Sequence, residues 1–323
     1  MITTQPAVET LADGGAPGIE VGSFIPDGSQ AAACSRLVIA TYNIRYAAGS
    51  FLITGSLLRR ARLGRPGRRP ALVARNLALA AQLLADGERM PAADIIALQE
   101  ADRGTIRAGS HHVARELARH LDMRYAFAGA QHPPHEEQKK KQWYLDFEER
   151  LAPRDTGKTG VAILSRLRPV ALRRVDLPWK ECAWRPRLAI AASFQIADRR
   201  LHVFNAHIDP HASVSEQLDQ HAAIIDAARH MAGDDPVVLL GDFNTLSNQA
   251  GVEMRRYLES HGYTTPLPTG TPTWRAGPIR LHTDWIFTRH LPVESWGVAR
   301  RPGISDHWPV WVKIGPWFNA QGS

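Results

Sequence analysis

The 323-residue sequence predicts an α/β protein in which mixed β-sheet is covered by helices. Short apolar, β-branched runs intersperse with longer amphipathic stretches, without the strict strand–helix–strand rhythm of a doubly wound sheet. No internal repeat is visible, which sets aside solenoids and propellers. The composition, 44% hydrophobic and 22% charged, supplies a packed core and lies far from disordered or collagen-like chains.

The elements follow in order. Residues 1–35 hold four acids, no Lys or Arg, and much Gly, Ala, Pro and Ser, so they read as a flexible N-terminal extension outside the fold. They lack the basic start and apolar run of a signal peptide, and no stretch of 18 apolar residues follows anywhere, so a cytoplasmic protein is expected. Residues 37–42 form a buried strand, and Pro70 opens a helix running to about Ala85. A strand over 94–99 stops at Glu100, a helix lies near 110–121, and 131–158 is a polar insertion. A strand at 160–165 resumes the pattern. Further apolar runs lie at 188–196, 201–208, 237–241, 284–288 and 309–314, with a helix near 215–231. A single domain over 36–318 results.

Cys34 and Cys182 are too few for a disulfide framework and stand apart from any zinc-type cluster. Beyond residue 35 the chain carries 39 basic against 28 acidic residues, a formal +11. Such a body attracts phosphate-rich partners, nucleic acid or anionic headgroups. Residues 46–70 concentrate Arg59, Arg60, Arg62, Arg65, Arg68 and Arg69 beside Phe51, Leu52, Ile53, Leu57 and Leu58. That loop is either simply solvated or a phosphate- or lipid-surface contact. No protein partner is predicted.

The informative feature is where the apolar strands stop. Asn43, Glu100, His207, and the pair Asp242 and Asn244 each follow one, while Asp306 and His307 precede another. Carboxylates at such places are costly to desolvate without a cation or donors, so their repetition points to one shared site. Oxygen donors without cysteine favour Mg²⁺ or Mn²⁺ over Zn²⁺. Each residue has an ordinary alternative taken alone: Asn43 as a turn cap, Glu100 paired with Arg103, His207 as a core histidine.

The segments Thr41-Tyr42-Asn43, Leu98-Gln99-Glu100, Gly160 to Ser165, Asn205-Ala206-His207, Gly241-Asp242-Phe243-Asn244, Asp284 to Phe287 and Ser305-Asp306-His307 together resemble the ordered motifs of the endonuclease/exonuclease/phosphatase superfamily. The likeness runs from about 37 to 314. It implies a four-layer α/β sandwich, two packed mixed β-sheets flanked by helices, with a divalent-metal phosphoesterase site at one end. It puts Glu100 in the place of the principal metal ligand, with Asn43 and Asp306 close to the ion. Asp242 resembles the residue that aligns or deprotonates the attacking water, and Asn244 one that binds the scissile phosphate. His207 and His307 would flank that phosphate, Asp284 orienting the ring of His307.

Arg187 resembles a phosphate-facing arginine, with a structural ion pair as the alternative. Trp274 and Trp308 are the tryptophans placed to contact substrate; the other seven are read as packing. Gln217 falls where relatives often place a Gln. Asp209 reads as a supporting partner to the site, Pro210 breaking any metal geometry with His207 and His211. Arg45 stands where apurinic endonucleases carry an acid, which sets the chain apart from them. The expected activity is phosphodiester hydrolysis of nuclease type. The alternatives are a phospholipid or sphingomyelin phosphodiesterase, an inositol-phosphate phosphatase, or a silent phosphate-binding module.

Overall fold

The computed structural model describes residues 17–25, 35–49, 68–85, 87–130, 155–178, 187–301 and 303–315. In chain order the strands and helices are β1 (Ile19–Ser23), β2 (Leu37–Asn43), α1 (Arg68–Ala85), β3 (Ile95–Gln99), α2 (Val113–His120), β4 (Arg124–Gly129), β5 (Gly160–Ser165), β6 (Pro169–Asp176), β7 (Leu188–Ile196) and β8 (Arg199–His207). Then come α3 (Val214–Ala232), β9 (Val237–Asp242), α4 (Asn248–Ser260), β10 (Trp274–Ala276), β11 (Ile279–Leu281), β12 (Asp284–Arg289), β13 (Val293–Val298) and β14 (Val310–Ile314). One sheet has the order β1-β4-β5-β3-β2-β14-β13 and the other β12-β9-β8-β7-β6. Both are mixed, because β2 runs parallel to β3, and β8 to β9, amid antiparallel pairs.

Strand alternation builds the layers. In β2, Leu37 and Ile39 point into the core between the sheets, where they meet Ile190, Val203 and Leu240 of the second sheet. Val38, Ala40 and Tyr42 point the other way, onto Leu77 and Leu84 of α1 and Leu117 of α2. The second sheet turns Phe204 and Leu239 outward onto Ile224 of α3 and Leu258 of α4. Helix, sheet, sheet and helix therefore stack as a four-layer sandwich. A polar bridge crosses the inter-sheet core: Gln99 Nε2 donates to Asn205 Oδ1 at 2.6 Å, and Asn205 Nδ2 donates to the carbonyls of Leu98 and Ala162. Every donor used there has an acceptor, as burial demands.

One boundary differs from the sequence reading. Ile19–Ser23, inside the 1–35 segment set aside as an extension, is an edge strand paired with β4. Five residues carrying one acid and one glycine give too weak a local signal, and what holds them is remote. Glu20 accepts from Tyr125 Oη at 3.1 Å, lies 2.9 Å from His112 Nε2, and pairs with Arg103. Arg103 thus serves Glu20, whereas Glu100 lies beside Asn43. The runs at 124–129, 169–176 and 293–298 and the helix at 248–260 are also absent from the sequence reading; the second and third are edge strands and the helix is polar, all with few apolar residues, whereas 124–129 is an interior strand of small and aromatic residues. Most of the 46–70 loop and of the 131–158 insertion lies outside the described residues, and with it the membrane-contact expectation. Among the described residues no helix is long and apolar enough to cross a membrane.

The latch on β1 has a pH signature. Its contact with His112, opposed by partial burial and reinforced by Arg103, holds the Glu20 carboxyl down at about 2 from an ordinary 4.5. A depressed carboxyl contributes stability above its unfolded pKa and loses it as pH falls through the folded one. The Tm difference between wild type and Glu20→Gln is therefore expected to be constant above pH 4.5 and to shrink toward pH 2. Thermal melts across that range measure it; a difference that does not change with pH overturns the assignment.

Candidate active site

Register assembles the site before any side chain is considered. Asp242, the last residue of β9, lies directly between His207 at the end of β8 and Asp284 at the start of β12. Gly241 permits this close pairing. Its φ is +148°, and a Cβ there would fall onto the Ala206 carbonyl of β8. From the other sheet, β2 and β3 deliver Asn43 and Glu100 to the same end, with Glu100 in left-handed backbone at φ 50°. A buried, non-glycine residue in that conformation is over-determined by its surroundings, a common mark of functional positions.

Asn43 joins the two sheets' contributions. Its Nδ2 donates to Asp242 Oδ2 at 2.8 Å and to Glu100 Oε1 at 3.1 Å. Ser305 Oγ donates to the Asn43 carbonyl at 2.8 Å, which pins the 305–307 segment against the end of β2. His307 Nδ1 lies 2.9 Å from Asp284 Oδ2, and Thr283 Oγ1 donates to the same oxygen. With Nδ1 committed, Nε2 turns toward Asp242 Oδ2 at 3.8 Å. Burial works against a charged ring, but Asp284 and Asp242 outweigh it and push His307 up to about 10. Burial raises the Asp242 carboxyl to about 7, against the pull of His307.

On the other side of Asp242, His207 Nε2 is 3.6 Å from the same Oδ2, while Arg187 Nη1 lies 3.1 Å from His207 Nδ1. The same Nη1 is 3.4 Å from His207 Nε2, so the guanidinium, which only donates, lies against both ring nitrogens. Asn244, at φ 50°, folds back: its backbone N–H donates to Asp242 Oδ1, and its Nδ2 donates to the Ile208 carbonyl at 2.8 Å. The extended geometry that would align Asp242 and Asn244 is thus replaced by a turn. Gln217 is buried, its amide donating to the carbonyls of Asp209 and Asn244, which staples two site loops to α3. Asp209 accepts from the backbone of His211 and closes that turn, placing it in a supporting position.

Sequence reading missed the part played by Arg45. Arg45, Tyr46 and Ala47 have φ of 47°, 43° and 57°, a left-handed turn without glycine. Such residues are individually unfavourable. Asn76 of α1 donates to the Ala47 carbonyl at 2.8 Å, and Arg107, itself bound to Asp102, lies over the Tyr46 ring at 4.2 Å. The turn aims the buried Arg45 guanidinium at Asp306, Nη1 to Oδ2 at 3.2 Å. Trp274 Nε1 donates to that same oxygen at 3.1 Å. Trp274 therefore orients Asp306 with its polar edge, and it is buried rather than presented as a flat platform. Trp308 follows His307 with its backbone N–H bound to the Thr273 carbonyl. An arginine two residues beyond a strand-ending asparagine was the available signal, but its partner is 261 positions away.

All eleven residues singled out in the sequence thus meet at one end of the sandwich. Buried carboxylates from Glu100, Asp242, Asp284 and Asp306 gather there, with Asn43 turning its Nδ2 toward two of them, and burial together with the neighbouring Asp284 keeps Asp242 from ionising readily. That donor chemistry fits a hard divalent cation. One ligand atom each from Asp242, Asp284 and His307 also lies within 4.8 Å of the others, a buried group that could hold a metal.

The sequence profile described as the Endonuclease/Exonuclease/phosphatase family matches residues 40–307. The chain belongs to that family. Its members are phosphoester hydrolases, and membership by itself leaves the substrate open. No protein of curated function matches the chain by sequence. Among solved structures, an endonuclease/exonuclease/phosphatase from Beutenbergia cavernae DSM 12333 has a TM-score of 0.58 at 16% identity, covering 87% of this chain and 71% of that one. The human Nocturnin catalytic domain with bound sulfate gives 0.56 at 16% identity over 86% and 93% of the two chains. ANGEL2, a 2′,3′-cyclic phosphatase in complex with adenosine-2′,3′-vanadate, gives 0.55 at 13% over 86% and 95%. At these identities the likeness establishes the fold, the two-sheet sandwich that gathers the family motifs at one end.

Proposed function

We propose that the chain is a divalent-cation-dependent phosphodiesterase of nuclease type. The observation that carries this reading is the buried Asp284–His307 pair with Nε2 facing Asp242 at 3.8 Å. It combines a held proton donor with a carboxylate of raised pKa, the two groups that in-line attack on a phosphate needs. Glu100 would be the principal ligand of Mg²⁺ or Mn²⁺, with Asn43 and Asp306 beside it. The bound ion supplies charge neutralisation at the phosphate oxygens.

The chain's own groups do the rest. Asp242 orients the attacking water and draws its proton as the oxygen approaches phosphorus. His307, held by Asp284, gives its Nε2 proton to the leaving oxygen as the P–O ester bond breaks, so that the alcohol departs neutral. His207 flanks the phosphate from the opposite side of Asp242, its ring held in place by Arg187. Asn244 has spent one amide hydrogen on Ile208 and keeps the second for a phosphate oxygen. Trp274 sets the direction of Asp306, and Trp308, buried next to His307, is held by its backbone bond to Thr273.

The basic body of the chain, a formal +11 beyond residue 35, favours a polyanionic diester over a small singly charged one. The test is purified protein with Mg²⁺ or Mn²⁺ on supercoiled plasmid and on bis-p-nitrophenyl phosphate. Nicking and p-nitrophenol release, both stopped by EDTA, are expected. Inert diesters in every metal overturn the proposal; intact plasmid with release of phosphocholine from sphingomyelin replaces the nuclease with a lipid phosphodiesterase.

A further inference from the structure

Most arginines around the site have their charge engaged. Arg45 meets Asp306, Arg107 meets Asp102, and Arg187 lies against His207. Arg275 and Arg300 differ. Their guanidinium carbons stand 5.8 Å and 5.7 Å from the ring centroid of Trp308, and among the described residues no carboxylate pairs with either. Arg300 is exposed and Arg275 partly so. Both are placed by the backbone: the Arg275 N–H donates to the Asp306 carbonyl at 2.9 Å, and Ala299 before Arg300 donates to the Pro309 carbonyl at 2.8 Å.

Trp308, the residue both approach, is 5% exposed, and its Nε1–H has no acceptor among the described residues. A buried donor without an acceptor costs stability until one is supplied. Two guanidiniums without a carboxylate partner among the described residues thus lie over the ring that carries this donor, next in sequence to His307.

Resting on the reading above, we infer that Arg275, Arg300 and the Trp308 N–H form a second anion subsite that holds a phosphate other than the one being cut. The substrate class that fits is a phosphodiester with a further phosphate on a neighbouring residue. That group is an internal diester of an oligonucleotide or a terminal monoester. Because the subsite touches only the distant phosphate, it acts chiefly on KM.

Thymidine oligomers separate the possibilities. TpT carries one phosphate, TpTpT a second internal one, and pTpT and TpTp a terminal one on either side. Wild type is expected to show a KM about tenfold lower for at least one two-phosphate substrate than for TpT, the gain of a charge-assisted contact. Arg275→Met/Arg300→Met should close that gap to within about twofold by raising the two-phosphate KM, with kcat little moved, and Trp308→Phe, which keeps the ring, should close part of it. A gain with TpTpT assigns the subsite to nucleic-acid backbone, a gain with pTpT or TpTp to a terminal phosphate. No gap in wild type, a gap that survives the double substitution, or an equal KM rise for TpT overturns the inference. Calorimetric binding of the same oligomers to the intact protein without added metal reads the same gap. A protein that cuts no diester yet prefers pTpT over TpT retains the subsite and loses only the proposed activity.

Discussion

His307→Ala is expected to lower kcat on bis-p-nitrophenyl phosphate by about 10²- to 10⁴-fold, the range that a positioned general acid supplies. The ring is buried, bonded at Nδ1 to Asp284, and turned at Nε2 toward Asp242, so its loss removes the carboxylate-held proton donor. Asp284→Asn tests the support separately: the amide still bonds the ring but no longer favours its protonated form, so kcat falls less and the alkaline limb moves to lower pH. The wild-type profile of kcat/KM should be bell-shaped. Activity needs Asp242 ionised, which burial delays to about 7, and His307 protonated, which its two carboxylate neighbours prolong to about 10. A bound cation favours ionised Asp242 and moves the acid limb downward. Stability follows the same sign for the ring: a histidine raised above 6.5 stabilises fully below that pH and loses the contribution as pH climbs through 10. A His307→Ala enzyme retaining more than about a tenth of wild-type kcat removes this residue from the mechanism.

Glu100→Gln is expected to weaken Mg²⁺ or Mn²⁺ binding by at least about 100-fold, because loss of a partner behind a ligand already costs 10- to 100-fold. Calorimetry measures the affinity directly. A second reading comes from melting curves. Ligand at 100 times its Kd stabilises the folded state by about 2.7 kcal/mol, so the Mg²⁺-dependent rise in Tm seen for wild type should vanish in the variant. Glutamine retains the shape and the acceptor oxygen near Asn43 Nδ2, so the fold should persist. Undiminished metal affinity in a folded Glu100→Gln protein would move the ion elsewhere, the buried group of Asp242, Asp284 and His307 being the next place to look.

Local pattern wrote much of the molecule legibly. Strands β2, β5 and β9, and β7 as far as Phe194, are buried and mostly apolar because both faces are covered, one by the other sheet and one by helices. The residues on which those runs stop were visible for the same reason, since a carboxylate or imidazole at the end of a buried strand contrasts with what precedes it. Edge strands β1, β6 and β13 left little trace, as one face or one end meets solvent and their residues alternate weakly. Helix α4 is mostly polar, and its N-terminus is marked chiefly by Ser247 accepting from the Ala250 N–H.

The sequence by itself therefore determined the fold class, the core strands and the chemical character of the site: hard oxygen donors and imidazoles at strand ends. Tertiary structure alone decided how they are used. It put Asp242 between two histidines, turned Asn244 back on Ile208, sent the Trp274 N–H to Asp306 and brought Arg45 under the same carboxylate. The reason lies in range. Burial and periodicity act on residues a few positions apart and leave a repeating mark, whereas a hydrogen bond between Asn43 and Asp242 spans 199 positions and exists only once two sheets have packed.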